Sequence, residues 1–338
     1  MSAVVLVTGG AGYIGSHACK ALAQAGHIPV TLDNMSLGHA WAVRFGPLVR
    51  GDLRDEDALD QAFRWYAPDA VMHFAGLSNV AESVVRPAAY YDNNVGGAQA
   101  LLEAMRRHGC KSIIFSSTCA TYGLPQAAPM PDDHPQAPIN PYGRTKLMVE
   151  RLLAHYEESF GVNHVALRYF NAAGAEPEAG LGEAHNPETH LIPLAVMAAL
   201  GLRGALNVFG TDYDTPDGTA VRDYIHVADL ARAHVLAMDW LLAGEPSQAM
   251  NLGTGCGHSV LEVIQAVERA TGRSVPAVDR PRRAGDPPML VASAQRAAER
   301  LGWRPNITRL EDMVDDARRF LERKTRVRAG RELLAAVG

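Results

Sequence analysis

A strand that stops at a glycine-rich turn and continues as a helix limits this chain more than any other feature. The apolar run Val4–Val7 ends at Gly9-Gly-Ala-Gly12-Tyr-Ile-Gly15. Ile14–Ala25 then carries helical periodicity and closes at Gly26. Glycines at such a turn let the backbone approach a diphosphate. The helix N-terminus adds free N–H groups and the positive end of a dipole. A second apolar run, Ile28–Leu32, ends at Asp33, about 20 residues beyond the glycines. A carboxylate there accepts hydrogen bonds from ribose hydroxyls and repels a 2′-phosphate, so the pattern favours NAD over NADP. Asp52, after a weaker strand at Leu48–Val49, is placed either to reach an adenine amino group or to serve a turn.

The same alternation continues. Val71–Phe74, Ile113–Phe115 and Val165–Leu167 read as buried strands. Asp55–Tyr66, Val95–Arg107 and Tyr142–Ser159 read as helices. Short apolar runs alternating with helices mean βαβ units, and six strands predict a doubly wound parallel α/β sheet over residues 1–172. Residues 173–338 are less regular and predict a smaller mixed α/β domain, with a stretch around 220–254 returning to the first. There Gly174–Pro187 reads as loop and Leu191–Leu200 as helix. Gly210–Gly218 reads as turns and Asp229–Leu242 as helix. Ser259 and Glu262 form a capping box ahead of a helix toward Thr271. Pro276–Pro288, rich in proline and arginine, reads as loop, and a charged helix starts near Leu310.

Composition narrows the partners. A net charge of −5 without a basic patch argues against nucleic acid. No apolar run approaches 18 residues, so no membrane span is expected. The N-terminus enters a strand at once without a leader pattern, which predicts a cytoplasmic protein. The four cysteines are widely spaced, with no CxxC pair. Thirteen histidines show no HxxxH or HExxH, so no metal site is expected.

Chemistry concentrates at Tyr142-Gly-Arg-Thr-Lys146. Tyr and Lys four apart share a helix face. An ammonium beside a phenol favours phenolate, which makes Tyr142 a candidate general base. With four lysines and ten tyrosines in the chain, chance yields this spacing roughly 0.1 times. Ser116-Ser117-Thr118 directly follows an apolar run. Ligands of parallel sheets bind at the carboxyl ends of strands, so Thr118 is placed to hold a reacting oxygen.

Together these segments resemble the extended short-chain dehydrogenase/reductase superfamily, and within it the UDP-glucose 4-epimerase family. TGGAGYIGSH, LDN, HFAGL, ESV, YYDNNV, FSST, PYGRTKLMVE, LRYFNAAGA, DGTAVRDYIHVADL, NLGTG and RRAGD occur in family order between Thr8 and Asp286. The resemblance implies that Tyr142 is the base, Lys146 its partner at the nicotinamide ribose, and Thr118 a ligand of the sugar hydroxyl. It implies that Tyr13, Ile14, Asp33, Asn34, Asp52, Leu53, Phe74, Ala75, Gly76, Asn93 and Tyr169 line NAD beside the three glycines. Asn171, Leu191, Asn207, Phe209, Arg222, Arg283 and Asp286 are expected to hold a UDP-sugar. The arginine forks suit a diphosphate. The implied reaction interconverts UDP-galactose and UDP-glucose through a 4-keto sugar, with NAD tightly bound and restored each turn. A homodimer through Val95–Arg107 and Tyr142–Ser159 is also implied.

Some positions depart from the family pattern. Ser78 stands where a lysine usually meets the cofactor diphosphate. Thr189-His190 replaces an Asn pair, and His190 remains a candidate substrate contact. Leu290 stands where many members carry Tyr or Cys, which leaves N-acetylhexosamines open as substrates. The segment between Asp33 and Asp52, with Gly38-His-Ala-Trp41, is short and resembles a bacterial subgroup that includes exopolysaccharide epimerases and pentose epimerases, so UDP-xylose/UDP-arabinose is the nearest rival substrate pair. A nucleotide-sugar 4,6-dehydratase would need an Asp-Glu pair after Thr118, where Cys119-Ala120 stands. An NAD-sensing regulator would lack the Tyr/Lys pair.

Overall fold

The computed structural model describes residues 2–337 except 284, with side chains described through residue 326. The chain opens with β1 (Val4–Thr8), α1 (Tyr13–Gln24), β2 (Ile28–Asp33), β3 (Leu48–Arg50), α2 (Glu56–Tyr66) and β4 (Ala70–His73). Then follow α3 (Val80–Val85), α4 (Pro87–Tyr90) and a wide π turn at Tyr91–Gly96 that leads into α5 (Gly97–His108). β5 (Ser112–Thr118), α6 (Pro141–Phe160) and β6 (Asn163–Tyr169) complete the first half.

These strands, with β12 (Gln248–Leu252) from the second half, form a parallel sheet in the order β12-β6-β5-β4-β1-β2-β3. The order reverses beside β1, which creates the crevice where such sheets bind ligands. The sheet is buried on both faces by strict alternation. Val5, Val7, Ile114, Val165 and Leu167 face one core with α1 and Trp303. Leu6, Ile113, Phe115 and Ala166 face the other with α2, α5 and α6. A buried ion pair ties α6 to the sheet. Arg168 on β6 meets Glu150 at 2.6 Å, and Ser117 of β5 donates to the same carboxylate.

The second half runs β7 (Asn171–Ala173), β8 (Ala175–Glu176), β9 (Leu181–Gly182), α7 (Leu191–Ala199), β10 (Leu206–Phe209) and β11 (Val221–His226). It continues through α8 (Val227–Leu242), β12 (Gln248–Leu252), β13 (Gly257–Ser259), α9 (Val260–Thr271) and β14 (Ala277–Arg280). β15 (Met289–Leu290), α10 (Gln295–Leu301) and α11 (Leu310–Val337) end it. β13-β11-β15 form a small sheet that β7 joins, and β10 pairs with β14. α7, α9 and α11 close a third core over Val196, Val263 and Val314. α8 returns to the first half and packs on α1, and β12 joins β6 as the seventh strand. The capping box at Ser259–Glu262 is present in full.

Three readings of the sequence need correction. Among the described residues the large sheet has seven strands, not six. β12 is QAMNL, whose polar Gln248 and Asn251 break the apolar run. Pro276–Pro288 contains β14, whose four residues are all exposed and so show no alternation. Gly174–Pro187 contains β8 and β9, two residues each and too short to leave a pattern. β10, β11, α3 and α4 also escaped the sequence reading.

Candidate functional site

A cavity of about 900 Å³ opens at the carboxyl ends of β1, β2, β4 and β5 and extends to α7, β10 and β11. At its first end lies the glycine turn. Gly9 has φ +72°, and a Cβ on it would sit 2.6 Å from the Ala75 nitrogen. A Cβ on Gly15 would sit 2.3 Å from the Gly9 carbonyl. The turn is therefore closed to side chains. Gly12, which lines the cavity, is the N-cap of α1, so the first N–H groups of the helix have no intrahelical partners. Tyr13 and Ile14 line the opening; the Tyr13 hydroxyl is tied to the Gly174 carbonyl at 2.7 Å.

Asp33 ends β2 and accepts from the N–H groups of Ala11 and Met35 at 3.0 and 2.8 Å. A carboxylate has about four acceptor directions, so two remain for hydroxyls of a ligand. Asn34 donates to Asp52 at 2.8 Å, and Arg54 binds the same carboxylate. The Arg54 guanidinium holds the Asp52 carboxyl well below the usual range. Leu53, Phe74, Ala75, Gly76 and Asn93 line the floor. Glycines whose Cβ atoms would collide, beside a helix N-terminus and a carboxylate with spare acceptors, fit a dinucleotide such as NAD.

The reacting end is built from β5, β6 and α6. Tyr142 and Lys146 lie on one face of α6, as their spacing predicted. Thr118, Tyr142, Lys146 and Tyr169 all line the cavity. Lys146 Nζ donates to the Ser116 carbonyl at 2.7 Å, and Ser116 Oγ also pairs with the Tyr169 hydroxyl. The expectation that Lys146 lowers the Tyr142 phenol needs correction. Burial pushes that phenol up, the neighbouring Tyr169 adds to this, and a hydrogen bond with Thr118 is the influence that opposes it. Burial also pulls Lys146 down to about 8, with Glu150 opposing. The ammonium is held by a backbone carbonyl rather than by the phenol. Cys119 lines the same wall, and burial pushes its thiol up to about 12.

The far end carries Asn171, Leu191, Asn207, Phe209, Arg222, Arg283 and Asp286, all lining the cavity. The Arg283 guanidinium stacks over Phe209 at 3.9 Å. Arg222 donates to its neighbour's carbonyl at Val221, and Asn207 accepts from Arg280 at 2.9 Å. His190 lines the cavity too, but its Nδ1 faces Glu183 at 2.6 Å instead of pointing freely inward.

Several residues of the site escaped the sequence reading. Asn94 is buried, accepts from the Leu77 N–H and donates to Thr145 on α6. Arg203 lines the far end, and its Nε has no hydrogen-bond partner among the described residues. Neither position carried a spacing signal. Glu183, His185, Glu188 and His190 form a compact group in the wall. None of these side chains stands in the HxxxH or HExxH spacing whose absence led the sequence to predict no metal site.

Residues 5–253 match the NAD dependent epimerase/dehydratase family. A UDP-glucose 4-epimerase of Rhizobium leguminosarum bv. trifolii is 54% identical over 301 residues, covering 89% of this chain and 92% of that one. The crystal structure of UDP-glucose 4-epimerase from Brucella ovis in complex with NAD is 54% identical, with a TM-score of 0.92 over 94% of this chain and 98% of that chain. A UDP-glucose-4-epimerase from Stenotrophomonas maltophila with bound NAD and formylated UDP-arabinopyranose is 43% identical, with a TM-score of 0.92 over 96% and 99%. The chain belongs to the NAD dependent epimerase/dehydratase family and, within it, to the UDP-glucose 4-epimerases.

Proposed function

We propose that the protein interconverts UDP-galactose and UDP-glucose through a 4-keto sugar. The observation that carries this is one cavity shared by the glycine turn, the Thr118/Tyr142/Lys146 group and Arg222 with Arg283. NAD, when bound, supplies a reversible two-electron acceptor for carbon 4 of the sugar. Tyr142 takes the proton from the 4-hydroxyl and later returns it. Thr118 orients that oxygen and stabilises the phenolate. Lys146, fixed by the Ser116 carbonyl, keeps a positive charge in the wall. Arg222 and Arg283 grip the diphosphate, which leaves the sugar free to present either face. Leu191, Asn207, Phe209, Asn171 and Asp286 hold the nucleotide end.

The test uses purified protein, UDP-galactose and no added cofactor, with the epimers resolved by chromatography. UDP-glucose should appear without net reduction of cofactor. No conversion, even after NAD is added, would overturn the reading. Rescue by added NAD would instead point to Ser78, which lines the cavity and offers the diphosphate no charge.

A pentose substrate is the second reading. It is favoured by the Stenotrophomonas structure, which carries a UDP-arabinopyranose derivative. A parallel incubation with UDP-xylose distinguishes the two. Leu290 lines the cavity as a side chain of intermediate size, and Leu290→Tyr should suppress any N-acetylhexosamine turnover.

We further propose a homodimer through α5 and α6, supported by the apolar Met148 and Phe160 exposed on α6. Light scattering after gel filtration tests it, and Met148→Glu should shift the mass toward the monomer. A role in galactose metabolism in the cytoplasm fits the four cysteines, all free.

A further inference from the structure

We propose that Glu183, His185, Glu188 and His190 bind one divalent transition-metal ion, zinc foremost, which pins the loop between β9 and α7 in the cavity wall. One donor atom from each residue lies within 4.8 Å of all the others. Glu183 Oε1 is 2.6 Å from His190 Nδ1 and 2.9 Å from His185 Nδ1. Glu188 Oε1 is 3.4 Å from His190 Nδ1 and 3.8 Å from His185 Nδ1. In a tetrahedral zinc site with bonds of about 2.0–2.1 Å, donors stand about 3.3 Å apart. The measured separations lie on both sides of that value.

A second observation points the same way. Glu183 Oε1 and His185 Nδ1 are both buried, and among the described residues neither has an aligned hydrogen-bond partner despite their short separation. The Glu183 carboxylate is only 7% exposed. Unmatched buried polar atoms are costly and rare. An ion between the two atoms would satisfy both.

The surroundings hold the donors in place. The N–H groups of Thr189 and His190 donate to Glu188 Oε1 at 2.7 and 2.9 Å, which fixes that carboxylate and leaves it lone pairs. His39 Nε2 pairs with the Ala184 carbonyl at 2.7 Å between the first two ligands. The Tyr13 ring stands edge-on to His185 at 6.3 Å. Imidazole and carboxylate donors suit zinc, and four protein ligands make a closed, structural site.

The experiment uses untagged full-length protein. Elemental analysis by mass spectrometry should find about one zinc per chain after gel filtration. Chelator-stripped protein is then titrated with zinc chloride, and separately with cobalt chloride, whose visible spectrum reports tetrahedral coordination. His185→Ala and the near-isosteric Glu188→Gln should each retain less than a tenth of the zinc. Their zinc affinity should fall at least about 100-fold, beyond the usual effect of losing a supporting group. Zinc should raise the melting temperature of the wild type but not of these variants. His155→Ala, an exposed histidine elsewhere, should behave as wild type. Folded His185→Ala and Glu188→Gln that bind zinc like the wild type would overturn the proposal. So would wild-type protein with no retained metal and no saturable zinc or cobalt uptake.

Discussion

In the proposed reaction, the acid–base chemistry of Tyr142 and Thr118 rests on a balance of two influences. Burial pushes the phenol up, and the hydrogen bond with Thr118 holds it back. Tyr142→Phe should lower kcat by about 10²–10⁴, the usual worth of a positioned acid–base group. Circular dichroism should show the fold unchanged. Thr118→Val should raise the Tyr142 pKa further. Because the phenolate is the working form, the acid limb of the kcat/KM profile should then move to higher pH. Stopped assays across the pH range would reveal it, and an unmoved limb would assign the titration to another group. At this scale Tyr142 and Lys146 were legible because their i,i+4 spacing is rare in a chain with four lysines. The partner of Lys146 was not legible. That partner is a main-chain carbonyl on β5, and backbone atoms leave no mark in a sequence.

Elements decide how firmly those groups are placed. Gly15 packs its α-carbon face against the Gly9 carbonyl with no room for a methyl group. Gly15→Ala should distort the turn and weaken NAD binding more than it destabilises the protein, as titration calorimetry would show. Glu150 and Arg168 are a buried pair, each side chain 8% exposed, that fixes α6 on β6. Arg168→Met leaves the carboxylate unpaired and should cost about 3–5 kcal/mol by urea unfolding. Ser259→Ala removes the cap of α9 and should cost about 1 kcal/mol in the same assay. The capped helices were readable, since caps are written in local residue types. β14 was not, because its pairing with β10 lies outside its own exposed sequence. The cluster at 183–190 was not legible, because its four side chains are brought together by a turn and the spacings weighed were those of helices.

On the scale of the whole molecule, three buried histidines link stability to acid. Burial lowers His17 and His234 to about 4 and His73 to about 3, from an ordinary 6.5. Between those values the unfolded chain binds more protons than the fold. Stability should therefore fall as pH drops from 6.5 toward 4. The slope approaches about 1.4 kcal/mol per pH unit for each histidine. Urea midpoints at a series of pH values would test this, and a flat profile would mean that these side chains are hydrated in the fold. The doubly wound sheet was legible from six apolar runs, but its true edge was not. β12 completes it from residues 248–252.

That late strand has a consequence for synthesis on the ribosome. When β6 has emerged, its outer backbone edge has no partner, and an open edge invites pairing with a foreign strand. The missing strand follows roughly 80 residues later, a delay on the order of 4–16 s at ordinary elongation rates. Nascent chains paused in that interval should be the ones that chaperones hold. A ribosome-stalled series ending between residues 175 and 285 should lose its aggregation once residue 252 has cleared the exit tunnel.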